Sequence, residues 1–153
     1  MRLRRGSYII YNGKETMLYR DGVINKLVIP LYDDDFIDDK CIKDEWGGYI
    51  RPVTPDDIGY IYSVRPYAIY KEHKVALRGS KLFEKMAITP TSMDNEDYEE
   101  TMKVLGIQHE YNGADTVFVP IKDLDIYERV KYYDRYEYFK GIYKPYKIED
   151  YHV

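Results

Sequence analysis

The sequence predicts a mainly β protein with minor α, built from two tandem five-stranded units. Three observations carry that expectation. Tyrosine supplies 19 of the 153 residues, against one Trp and four Phe. It suits a half-buried sheet surface, where the ring packs and the hydroxyl reaches water. Short apolar runs are separated by turn dipeptides such as Asn12-Gly13 and Asp21-Gly22. Finally, the apolar pattern of the first half returns in the second.

The first unit covers residues 7–64. A strand over 7–12 runs into the Asn12-Gly13 hairpin signal, and a second over 15–20 ends at Asp21-Gly22. A third strand, Asn25 to Leu31, alternates, with Leu27 and Ile29 on one face and Lys26 and Val28 on the other. After an acidic connection comes a fourth, Gly48 to Val53. Thr54-Pro55-Asp56-Asp57-Ile58 reads as a short helical turn. Thr54 caps it, Pro55 suits its first position, and the two Asp favour its positive end. A fifth strand over 60–64 meets Arg65-Pro66, which is expected to interrupt it.

The second unit, residues 66–130, repeats this grammar with strands over 66–71, 74–78, 82–89 and 115–119. Its first turn falls at Glu72-His73. A helix is predicted over 94–105, with Asp94 as cap, Tyr98, Met102 and Leu105 on one face, and Gly106 as its stop. Pro120-Ile121-Lys122-Asp123-Leu124 takes the place of the short turn, and Ile126 and Tyr127 open the closing strand. Residues 131–153 form a tail packing on the repeats, with a strand suggested by Tyr133, Arg135, Glu137 and Phe139 alternating with Tyr136 and Tyr138. No flexible linker separates the copies, so one compact body is expected.

The repeat itself is explicit. Tyr8, Ile10, Tyr11, Leu18, Lys26 and Ile29 return at constant spacing as Tyr67, Ile69, Tyr70, Leu77, Lys85 and Ile88. After a longer second connection, Glu45, Gly48, Pro55, Ile61 and Tyr62 return as Glu110, Gly113, Pro120, Ile126 and Tyr127. Trp46 falls on Tyr111, which argues for a core position. Five short strands with a helical turn before the last resemble the SH3-like barrel. The resemblance implies a fold and no proline-peptide recognition, because no binding motif of signalling SH3 domains is present.

Composition removes most chemistries. With 23 basic and 27 acidic side chains the net charge is -4, which does not favour nucleic-acid binding. A single cysteine, Cys41, allows no internal disulfide and no cysteine metal site, and points to a reducing, cytoplasmic setting. No run approaches the roughly 20 apolar residues of a membrane span. His73, His109 and His152 are scattered, with no ligand spacing between them. Cys41 has no nucleophile-like surroundings, and Gly47-Gly48 lacks the pattern of a phosphate loop. No catalytic, metal or cofactor site is therefore assigned.

One cluster stands out: Asp33, Asp34, Asp35, Asp38, Asp39, Asp44 and Glu45, followed by Trp46. Its order lacks the spaced ligands and central glycine of a calcium loop. As a solvated loop it needs no role; as a docking surface it would steer a basic partner in, with Trp46 as an aromatic anchor. The segments YAIYK at 67–71 and VFVPIKDLDIY at 117–127 resemble small Tyr-rich proteins of Gram-positive bacteria, some of which act as immunity proteins against polymorphic toxins. That resemblance implies a cytosolic inhibitor that binds its toxin tightly; on charge clustering alone, the acidic run at 33–45 would then mimic a charged substrate and block a basic toxin site. The competing class is a small-molecule or single-stranded nucleic-acid binder using a Tyr-lined groove between the repeats. An enzyme is the least favoured class, for want of a nucleophile–base pair.

Overall fold

The computed structural model describes residues 3–32, 35–82, 84–91, 93, 98–107 and 116–153. The chain is mainly β, with two antiparallel sheets and short helices, as the sequence predicts. It divides into two units. One comprises Arg5–Val64 and Val130–Glu149, the other Met1–Arg4, Arg65–Arg129 and Asp150–Val153.

The unit holding Arg5–Val64 starts with β1 (Gly6–Tyr11) and β2 (Lys14–Met17), an antiparallel hairpin. Its turn is Asn12-Gly13, with φ of 49° and 77°. That left-handed pair matches the twist of a tight hairpin, which is why this dipeptide sits there. The expected second strand is split. Leu18, buried, donates its N–H to the Ser7 carbonyl at 2.9 Å, and β3 (Tyr19–Arg20) then leaves β2's partner to pair with β4 (Leu27–Leu31). Leu27, Val28 and Ile29 are all buried, so β4 is covered on both faces and the expected alternation is absent. β5 (Ile42–Lys43) and β6 (Tyr49–Pro52) complete the four-stranded sheet in the order β3-β4-β6-β5. A 3-10 turn at Pro55–Asp57 follows, where Asp57 Oδ2 accepts from Thr54 N and Oγ1 at 2.8 and 3.0 Å. The core gathers Ile9, Leu18, Leu27, Ile29, Val53, Ile58 and Ile61.

β7 (Ile61–Tyr70) corrects the expected break at Pro66: it runs through without interruption. Ile61 to Val64 pair with β1, and Tyr67 to Tyr70 pair with β8 (His73–Leu82). Pro66 falls between the β1 and β8 registers, so neither of those ladders asks for its missing N–H, and its ring is fully buried. The following turn is Lys71-Glu72, with φ of 47° and 71°, so His73 belongs to β8 and not to the turn. β9 (Lys85–Pro90) pairs with β8 and with β10 (Val117–Pro120). The predicted helix is α1 (Tyr98–Val104), which buries Thr101 and Met102 and stops at Gly106, φ 77°. Its expected cap, Asp94, lies outside the described residues. Another 3-10 turn, Ile121–Asp123, precedes β11 (Asp125–Tyr133). Ala68, Val75, Leu77, Met86, Ile88, Val119 and Ile126 form this unit's core.

The tail departs from the strand expected over 133–139. Asp134 Oδ1 accepts from Glu137 N at 2.9 Å and caps a short helix, α2 (Arg135–Phe139). Tyr138 and Phe139 pack on the core around Ile9, so two of the alternating aromatics serve a helix face. The chain ends in β12 (Pro145–His152), paired with β11. Among the described residues no helix is long and apolar enough to cross a membrane.

Candidate functional site

Two short turns in the unit holding Arg5–Val64 are built alike. Between β5 and β6, Asp44 Oδ1 accepts from Trp46 N at 2.8 Å and from Gly48 N at 2.9 Å. Its backbone N–H donates to the Gly48 carbonyl at 2.8 Å. Gly47 sits at φ 86°, a region that favours glycine. A Cβ on Gly48 would come within 3.1 Å of the Asp44 carboxylate. This hydrogen-bonded turn fixes the backbone and throws Trp46 outward, where it is 87 % exposed. The core position expected from its match to Tyr111 is thereby corrected; Tyr111 itself lies outside the described residues.

Between β3 and β4 the same device recurs. Asp21 Oδ2 accepts from Val23 N at 3.2 Å and Ile24 N at 3.4 Å, and Asn25 N donates to the Asp21 carbonyl at 2.9 Å. Val23 is left 85 % exposed at its apex. These turns flank a groove of about 470 Å³ with Tyr19, Ile42 and Ile50 among its lining. That volume is within the usual range for a binding cleft. Burial raises the Tyr19 phenol above its ordinary value, and the Asp21 and Asp44 carboxylates push it the same way. The lining carries the carboxylates of Asp21, Asp44 and Glu45 together with the cations of Arg20 and Lys43.

The acidic run does not form one face. Asp44, Glu45 and Trp46 border the groove. Asp35 and Asp38 line a separate cavity of about 110 Å³ with Phe36 and Arg51. Asp35 Oδ2 accepts from Tyr32 N at 2.7 Å, with Lys14 Nζ 3.9 Å from its other oxygen. Asp38 accepts from Arg51 Nη1 at 2.6 and 2.7 Å and from Lys40 N at 2.9 Å. Asp39 is exposed, as is Glu45. Asp33 and Asp34 lie outside the described residues. Sequence reasoning missed Asp21, Val23 and Arg51; the first two were announced by Asp21-Gly22, read there only as a turn.

The Arg51 hydrogen bond holds the Asp38 carboxyl at about 2, below the ordinary 3.8. A depressed carboxylate contributes stability that is present above its unfolded value and lost as pH falls through its folded value. The Asp38–Arg51 pair is thus expected to weaken the fold between about pH 4 and about pH 2. Asp57, Asp125 and Asp150 are depressed too, by the Thr54 N–H, His152 and Arg129 respectively. Urea unfolding across this window should show a shallower loss for Asp38→Asn than for the native chain. Identical pH profiles would remove the pair from the account.

Elsewhere, Cys41 is half-buried beside Asp38 and Arg51, and His152 Nε2 bonds Asp125 Oδ1 with its ring edge-on to Tyr127. His109 lies outside the described residues. Among the described residues no three His, Cys, Asp or Glu side chains come together as a metal site. A family model, that of the uncharacterised conserved protein UCP033725, matches residues 3–102. The chain belongs to this family. The matched span contains both turns and the whole groove lining. No curated protein and no solved structure matches the chain.

Proposed function

We propose that this chain is a non-catalytic protein-binding module, and that its docking face is the groove between Val23 and Trp46. One observation carries the reading: an indole 87 % exposed on a turn fixed by two hydrogen bonds to Asp44. A large aromatic carried on a fixed backbone turn has only its own side chain left to order on docking and buries much apolar area. Carboxylates at Asp21, Asp44 and Glu45 beside it favour a basic partner. An apolar side chain of that partner fills the groove against Ile42 and Ile50, and its cations meet the rim. The immunity-type role implied by the sequence resemblance, in a reducing cytoplasm against a basic toxin domain, is the form this binding would take.

Both units also follow one order, in which a 3-10 turn, Pro55–Asp57 or Ile121–Asp123, precedes the closing strand. This supports descent of the two from a duplicated SH3-like precursor.

Affinity capture of the tagged chain from its native cell tests the reading. One basic protein recovered in stoichiometric amount, and lost on Glu45→Lys with Asp44 left intact, is expected. Recovery of RNA or of a small molecule in place of a protein would overturn it.

A further inference from the structure

Strand β12 pairs with β11 and with no other strand among the described residues. On one face of this edge strand two apolar side chains stand in water: Tyr146 is 65 % and Ile148 53 % exposed. Long edges template pairing with another chain unless a bulge, a mid-strand proline, a covering loop or charged side chains discourage it, and here the charges Lys147, Glu149 and Asp150 restrict which partner strand and register can be accepted. Here the only proline, Pro145, stands at the first position.

The ladder to β11 fixes which backbone groups face outward. Val153 N–H donates to the Ile126 carbonyl at 2.9 Å, and Lys147 Nζ lies 5.3 Å from the Tyr132 ring centre. In an antiparallel pair the hydrogen-bonding direction alternates along the strand. Odd-numbered positions of β12 therefore turn their N–H and C=O toward β11, as Val153 does. Even-numbered positions, Tyr146 and Ile148 among them, turn theirs to solvent.

We propose that two copies of the chain associate by antiparallel pairing of β12 with β12, about a two-fold axis at Ile148. This register uses the outward backbone groups of Ile148 on both strands. It sets Ile148 opposite Ile148 and Lys147 opposite Glu149 twice over, once on each side of the axis. Within one strand Lys147 Nζ already lies 2.6 Å from Glu149 Oε1, so both charges occupy the same face. Association extends that pair into a four-charge cluster of alternating sign. An axis at Lys147, Glu149 or Asp150 would set like charges face to face, and one at Tyr146 would place Lys144 against Ile148 with no opposite charges paired. Like charges directly opposite disfavour a register, and opposite charges favour it. Charge complementarity thus selects one arrangement, and its occupant is a second copy.

Sedimentation equilibrium of the full chain over a concentration series tests this. A reversible dimer is expected. Lys147→Glu and Glu149→Lys should each weaken it on the order of tenfold. An equimolar mixture of these two variants should recover a dimer, because each then meets opposite charges. The double swap should dimerise like the native chain. Ile148→Lys, a substitution on an exposed side chain, places two cations on the axis and should leave monomers of native circular dichroism. A native chain that stays monomeric, single variants that dimerise undiminished, or a mixture that does not recover would each overturn the proposal.

Discussion

Truncation of Ile61 to alanine is expected to destabilise the fold by about 2–5 kcal/mol, the range for emptying a packed aliphatic site. Ile61 has no exposed surface and stands opposite Ile9, equally buried, in the β1–β7 register. Leu18, Leu27, Ile29, Val53 and Ile58 close the site from the remaining elements. Interdigitated side chains contributed by several strands relax little into a cavity, so the removed atoms lose both their burial and their contacts. Ile10 is the internal comparison. It neighbours Ile9 on β1 but is 36 % exposed, and its truncation should cost under about 1 kcal/mol. Urea unfolding followed by circular dichroism measures both, with an unchanged slope marking a shift of stability alone. Equal losses at Ile61 and Ile10 would mean that this core does not organise the unit.

What the sequence made legible was local. Asn12-Gly13 specifies a left-handed two-residue turn by itself, and the hairpin is where it points. Gly106 ends α1 for the same kind of reason. Thr54 and Asp57, three residues apart, likewise bond each other without help from the rest of the fold. What failed depended on partners that no short window contains. Pro66 reads as a breaker only until β1 and β8 are known to take separate halves of β7. The five residues of α2 are too few for a helical period to outvote alternating tyrosines, and a single Asp134 bond decides them. Arg51 reaches Asp38 across thirteen positions, with nothing in the intervening chain to announce it. Trp46 is the instructive failure for the site. Its correspondence with Tyr111 argued for burial, whereas the aspartate two positions earlier takes its N–H and sets it at the apex of a turn. A local hydrogen bond outweighed a repeat-based inference. The acidic run was likewise real as composition yet divided by structure, because Arg51 claims Asp38 for a different cavity.

Replacing Trp46 by alanine is expected to weaken binding of the captured partner by about 2 kcal/mol or more, roughly thirtyfold, while leaving stability within about 0.5 kcal/mol. The two halves of this expectation follow from one geometry. An indole 87 % exposed contributes little to the folded state, so its loss empties no core site. The turn itself is held by Asp44 through backbone groups that alanine keeps, so the backbone at the groove rim persists. What disappears is the aromatic area available for a partner to cover. As the only tryptophan of the chain, Trp46 also reports on its own burial. Its fluorescence should be quenched readily by iodide in the free protein and be shielded, with a blue shift, in the complex. Asp44→Ala offers the complementary variant. Removing the carboxylate frees the N–H groups of Trp46 and Gly48, loosens the turn, and should weaken binding although the indole is retained. Loss of affinity in both variants separates a preorganised anchor from a merely exposed side chain. Affinity unchanged in Trp46→Ala would remove the groove as the docking face, and a large fall in its stability would show that the indole serves the fold.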